Sequence, residues 1–219
     1  MIAGGPVVMN VLRRTGLIAI LRGVTPGEVV EVGAALYAAG LRIIEVPLNS
    51  PDALDSIRAL RAAVPRDCVV GAGTVVSPLQ VAKVRQAGGE LIVMPHGDPE
   101  VILAASVAQI AVVPGVATPT EAFAALAAGA TALKMFPAEL LGPAVLKAWR
   151  AVLPVGTALV PVGGLTPEKL AGYVAVGAAG AGLGAALYHP GIAVAEVATR
   201  AAGFVEAWRA AREHYGAVD

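Results

Sequence analysis

The sequence predicts an α/β fold, a (β/α)8 TIM barrel formed by residues 1–219 as a single domain. Three observations carry that expectation. Eight aliphatic runs recur, starting roughly 19 to 27 residues apart, close to one strand plus one crossover helix. The runs are apolar throughout rather than alternating, as suits parallel strands buried on both faces. The segments between them carry helix start and stop signals. An open doubly wound sheet is the alternative, but no GxGxxG follows the first run. The stretch Gly180-Ala181-Gly182-Leu183-Gly184 ends the last run instead of opening a βαβ unit.

In chain order, the predicted strands are LIAILRG (17–23), RIIEVPL (42–48), VVGAGT (69–74) and LIVMP (91–95). They continue with IAVVPG (110–115), ALKMFP (132–137), ALVPVGG (158–164) and GAGLGAAL (180–187). Between them, Thr25-Pro26, Ser50-Pro51, Ser77-Pro78, Thr118-Pro119 and Thr166-Pro167 each place a capping hydroxyl before a proline at the first helical position. Thr25, Thr118 and Thr166 also have a glutamate three residues on (Glu28, Glu121, Glu168), the pattern of a capping box. Asp98 and Pro99 start a shorter helix, and Gly40, Gly88, Gly129 and Gly177 are placed to end helices.

Composition narrows the function. With 57% hydrophobic but only 4% aromatic residues, the core must be aliphatic. The 15% of charged residues lies below the roughly 25% of soluble domains, which excludes intrinsic disorder. Sixteen basic residues balance sixteen acidic ones, which disfavours a nucleic-acid or anionic-membrane surface. The single Cys68 excludes a disulfide framework and reads as a buried small residue. The start, MIAGGPVVMN, lacks signal-peptide regions. The long uncharged stretches are broken by Pro114 and Pro119 in one case and by five glycines in the other, so no membrane span and a cytoplasmic protein are expected.

A barrel puts catalytic groups at the C-terminal ends of its strands and phosphate at the loops after the seventh and eighth. Lys134 is the one lysine inside an aliphatic run, where alternation puts Ala132, Lys134 and Phe136 on one face. A desolvated ammonium loses its proton more easily, and a neutral amine attacks a ketone to form a Schiff base. The competing reading is a lysine whose stem packs inside while its head reaches the mouth. Glu45, alone among aliphatics, is either a proton shuttle or a structural partner of Lys134 or Arg22. Arg22 ends the first run as a fixed cation suited to a carboxylate, or as a rim salt bridge. Thr74 closes a turn of small residues and either meets substrate or caps the next helix. Gly163-Gly164 and Gly184-Ala185 expose backbone N–H groups, as a phosphate nest requires, with no basic side chain nearby. Lys83, Lys147 and Lys169 read as solvated helix faces. His96 sits at the mouth, and His96, His189 and His214 show no metal-ligand spacing. HExxH, Walker A and GxSxG are absent, so neither metal nor cofactor is expected.

LRG, IEVPLNSP, GAGT, LKMFPAE and PVGG, in this order, are highly specific together. From LIAILRG to GLGAALY, the sequence resembles the 2-keto-3-deoxy-6-phosphogluconate / 2-keto-3-deoxy-6-phosphogalactonate aldolase family. The resemblance implies a metal-independent class I aldolase, usually a homotrimer, acting on a small phosphorylated keto acid. It implies Lys134 as the Schiff-base lysine and Glu45 as the general acid/base. It implies Arg22, Thr74, Pro95 and Phe136 around the pyruvyl end, with Val162, Gly163, Gly164, Gly184 and Ala185 around the phosphate end. The segments Glu45-Val46-Pro47-Leu48-Asn49-Ser50 and Val162-Gly163-Gly164 are similar to the phosphogalactonate branch, where phosphogluconate members typically read EVTLRT and TGG. Three positions depart from the family: Met94 where Ser or Thr is usual, His96 where Asn is common, and Ala185 where Ser is usual. The alternatives are a phosphogluconate / 4-hydroxy-2-oxoglutarate aldolase, a phosphate-binding epimerase or isomerase with Glu45 as base, and a non-catalytic sugar-phosphate binder.

Overall fold

Each aliphatic run folds as a strand, and a computed structural model describes residues 4–216. The order is α1 (Gly4–Thr15), β1 (Leu17–Ile20), α2 (Val29–Ala38), β2 (Ile43–Pro47), α3 (Ala53–Ala63), β3 (Val69–Gly73), α4 (Pro78–Gln86), β4 (Leu91–Val93) and α5 (Pro99–Val107). It continues with β5 (Ala111–Val113), β6 (Gly115–Val116), α6 (Pro119–Ala127), β7 (Leu133–Met135), α7 (Ala138–Arg150), β8 (Leu159–Pro161), α8 (Pro167–Ala175), β9 (Ala181–Leu183) and α9 (Val194–Tyr215).

The paired strands are all parallel, in one six-stranded sheet ordered β5-β4-β3-β2-β1-β9 and one three-stranded sheet ordered β6-β7-β8. The fifth run is therefore two strands, not one. Pro114, which has no N–H to donate, interrupts it and sends β5 to one sheet and β6 to the other. Hydrogen bonds span both junctions. Thr131 N–H donates to Val112 O and Lys134 N–H to Pro114 O, each at 2.8 Å. On the other side Ala179 N–H donates to Leu159 O at 2.9 Å, and Val162 bridges Gly182 in parallel.

Strand alternation sorts the core into two clusters. Leu17, Ala19 and Leu21 pack toward the helices, while Ile18 and Ile20 join an inner cluster with Ile43, Val69 and Ala132. Ile44 and Val46 face the helices, so Glu45 between them faces inward; Leu133 and Met135 do the same for Lys134. The sequence reading did not anticipate α1. Its Val8, Val11 and Leu12, spaced for one helical face, join the inner cluster at the end where the strands begin.

The helix signals are partly realised. Thr118 makes the full capping box with Glu121, and Asp98 accepts from Glu100 N–H at 2.8 Å. Gly40, Gly88, Gly129 and Gly177 all take positive φ just past helices. Ser77 and Thr166 hold the N-cap position without a hydroxyl bond to the helix. Two starts differ from expectation. Thr25 O accepts from Glu28 N–H and Val29 N–H in a turn, the Glu28 carboxylate takes the Tyr188 hydroxyl, and α2 begins only at Val29. Gly23 N–H donates to Ser50 Oγ at 2.9 Å, and Asp52, at φ +43°, is the N-cap of α3. The Ser50 bond ties the loop after β2 to the loop after β1. Cys68 is buried, as expected. No helix among the described residues is long and apolar enough to cross a membrane.

Candidate active site

β2 and β7 each aim one ionisable side chain inward. Glu45 is 2% exposed and Lys134 7% exposed. They are not within ion-pair distance of one another, and Glu45 Oε2 has no hydrogen-bond partner. Burial pushes the Glu45 carboxyl up to about 7, against the pull of Lys134, Arg22 and the Gly73 backbone. Burial lowers the Lys134 pKa below the ordinary lysine value; Glu45 opposes the shift and Arg22 adds to it. The competition of signs expected from sequence is thus won by desolvation at both groups. Lys134 Nζ lies 4.5 Å from the centre of the Phe136 ring, which is open to solvent at the strand's end.

Arg22, exposed just past β1, is held by two side chains. Nη1 donates to Asn49 Oδ1 at 2.7 Å and Nη2 to Thr74 Oγ1 at 3.4 Å. Thr74 thus bonds the arginine rather than the next helix. It does so at φ +54°, a conformation rare for a β-branched residue, so the turn after β3 stores strain at the mouth. Two residues escaped the sequence reading here. Asn49 stood in the quoted Leu48-Asn49-Ser50 segment, but nothing marked it as the arginine's partner. Gly73 matters by its size, because a Cβ at Gly73 would overlap the Glu45 carboxylate.

The two glycine turns lie past β8 and β9. Gly163 and Gly164 hold φ of +111° and +62°, and neither N–H donates to a backbone acceptor among the described residues. Glu139, in the first turn of α7, lays its carboxylate against both glycines. Lys169 is not a purely solvated lysine, since its Nζ donates to Gly164 O at 2.7 Å. The turn after β8 therefore has both an acid and a base beside it, where neither was expected. Val162 is buried at the end of that strand. Gly184 faces open space, and Ala185 is exposed.

Pro95 follows β4 on the inner side and Met94 packs in the outer core, so the departure at Met94 changes packing and not the site. His96 is exposed at the rim, 3.9 Å from Asp98 Oδ2. Among the described residues no three His, Cys, Asp or Glu side chains converge to hold a metal ion. At the opposite end of the strands a cavity of about 510 Å³ is lined by Arg13, Arg150 and Arg212. Arg150 donates to Val176 O after α8 and Arg212 to Arg13 O in α1, so these two cations satisfy helix C-termini.

A sequence model described as KDPG and KHG aldolase matches residues 8–198. The chain belongs to the KDPG and KHG aldolase family. It is 49% identical to the 2-dehydro-3-deoxy-6-phosphogalactonate aldolase of Escherichia coli K12, over 89% of this chain and 95% of that one. Among solved structures it is similar to a native KDPGal structure, with a TM-score of 0.89 and 48% identity over 90% of this chain and 96% of that chain. A KDPG aldolase from Legionella pneumophila, with pyruvate captured as a covalent carbinolamine intermediate, gives a TM-score of 0.79 at 27% identity over 93% of this chain and 97% of that chain.

Proposed function

We propose that the protein is a class I aldolase that cleaves 2-keto-3-deoxy-6-phosphogalactonate to pyruvate and D-glyceraldehyde 3-phosphate. The observation that carries this reading is the pair of desolvated, inward-facing groups: an amine on β7 with a lowered pKa and a carboxyl on β2 raised to about 7. The Legionella relative's covalent pyruvate adduct supports the same chemistry, and the E. coli relative supports the galactonate epimer.

Lys134, as the free amine, attacks the substrate's C2 carbonyl; protonated Glu45 gives its proton to the carbinolamine hydroxyl, which leaves as water, so that a protonated imine and the Glu45 carboxylate result. The Glu45 carboxylate removes the C4 hydroxyl proton. The C3–C4 electron pair flows into the imine, the aldehyde departs and an enamine remains. Protonated Glu45 returns its proton to C3. Water then adds to the imine, the released proton returns to the Glu45 carboxylate, and pyruvate and the free amine result. A carboxyl poised near neutrality suits both duties, and such acid–base help is typically worth about 10² to 10⁴ in rate. Arg22, held by Asn49 and Thr74, receives the substrate carboxylate beside Pro95 and Phe136. Val162, Gly163, Gly164, Gly184 and Ala185 receive the distal end.

The same reading takes the chain as one closed (β/α)8 barrel domain, with β5 and β6 counted as one strand. The hydrogen bonds across both sheet junctions support it. It further takes the protein as a cytoplasmic homotrimer in galactonate breakdown. Exposed Leu79, Leu103, Val107 and Phe123 on the consecutive helices α4, α5 and α6 support burial between copies.

Borohydride reduction in the presence of pyruvate tests the chemistry. The expected result is a reduced pyruvyl adduct on Lys134, lost in Lys134→Ala. An active enzyme with no adduct would overturn the covalent mechanism in favour of a non-covalent barrel enzyme. The C4 epimer preference is tested by steady-state comparison of the galactonate and gluconate substrates, where equal rates would refute the branch assignment.

A further inference from the structure

We infer that the cavity at the end where the strands begin is a second binding site, for a small organic polyanion carrying two or more carboxylate or phosphate groups. Its volume of about 510 Å³ lies in the range of small-molecule sites. Arg13 in the last turn of α1, Arg150 at the end of α7 and Arg212 in the last turn of α9 all line it. No Asp or Glu is among the described residues that do so. None of the three guanidiniums lies within ion-pair distance of a carboxylate among the described residues.

Backbone carbonyls do not exhaust these cations. Arg150 commits Nη1 to Val176 O, and Arg212 commits Nη1 to Arg13 O and Arg14 O. Their Nε and Nη2 groups, and the whole Arg13 guanidinium, keep their donors free of acceptors among the described residues. The C-terminal ends of α1, α7, α8 and α9 carry about half a negative charge each, which three guanidiniums more than offset. The Trp208 indole N–H on the same wall, in a residue 4% exposed, also lacks an acceptor. Arg13 and Arg150 are exposed, so the cavity opens to solvent. The three arginines come from three different helices. A ligand with several anionic groups bridges them through charge-assisted hydrogen bonds, whereas a single carboxylate cannot serve all three. Once bound, it ties the three helix ends together and stabilises the fold by mass action.

The test is calorimetric titration of the full chain with pyrophosphate and with citrate, against acetate as the single-charge control, alongside thermal melts. The expected result is one Arg13-dependent site per chain, a Tm that rises with ligand, and affinity that falls with added salt. Binding by pyrophosphate alone assigns a phosphorylated ligand, and binding by citrate alone a polycarboxylate. Arg13→Gln makes no described side-chain bond to lose, and it should weaken binding about tenfold; Arg13→Glu should weaken it further. Arg150→Gln is the second variant, with a similar loss. Affinity unchanged in the folded Arg13 variants, acetate binding as tightly as citrate, or a wild type that takes up neither polyanion would overturn the inference. Binding is read without turnover, so failure of the chemistry at Lys134 shows separately, in the borohydride experiment.

Discussion

Glu45 occupies the space into which any side chain at Gly73 would have to grow. The two residues sit on neighbouring strands, with Glu45 paired to Gly71 and Pro47 to Gly73. The absence of a side chain at Gly73 of β3 is therefore what leaves room for a carboxylate on the inner face of the sheet. Gly73→Ala is expected to push the carboxylate out of line. Turnover should fall at least about tenfold, with roughly 1–3 kcal/mol lost to overpacking. Steady-state kinetics and denaturant melts check this, and a fully active Gly73→Ala protein would contradict it.

Glu45 ties stability to pH. Its folded-state pKa of about 7 lies above the ordinary 4.5, so between those values the folded chain holds the proton more tightly than the unfolded one. Stability contributed by the protonated form is present below pH 4.5 and is lost as pH rises to about 7, by up to roughly 3 kcal/mol. Glu45→Gln should flatten this dependence while cutting kcat by about 10² or more. Melts in urea from pH 4.5 to 8 distinguish the two proteins; parallel curves would refute the assignment.

Lys134 has the opposite protonation sense. Its lowered pKa means that protonation strains the fold at neutral pH, and this cost disappears above the ordinary lysine value. Lys134→Met should abolish turnover and raise stability at pH 7, with the gain shrinking as pH climbs toward 10.5. Glu45, left without its cation, stays protonated. A destabilised methionine variant would show that the amine is structurally satisfied.

Asn49→Ala removes one of the two anchors of Arg22. The arginine is exposed, so the fold is expected to be unaffected. KM for the keto acid should rise by about threefold to tenfold, with kcat changed much less. A kcat effect without a KM effect would place Asn49 in the chemistry instead.

Thr118→Ala cuts the one fully formed capping box among the described residues. A loss of about 1 kcal/mol, seen as a lower Tm with activity intact, is the expected result.

The sequence showed which residues carry charge inside strands but not what surrounds them. Glu45 and Lys134 were legible because alternation in an aliphatic run fixes a side chain's face. Asn49, Gly73 and Glu139 were not, because each acts through a neighbour brought close only by tertiary packing. The break between β5 and β6 at Pro114 was not legible, since a proline inside an apolar run reads the same whether the strand continues or breaks. Helix α1 lacks the hydroxyl–proline start that marks several of the other helices, so nothing local announces it. Thr25 and Ser50 had sound local signals, but long-range bonds to Tyr188 and Gly23 claimed the groups involved.

The α1 side chains Val8, Val11 and Leu12 fill the inner space at the end where the strands begin. Whatever reaches the two inward-facing groups, Glu45 and Lys134, therefore comes from the other end, past Arg22, Asn49 and Thr74.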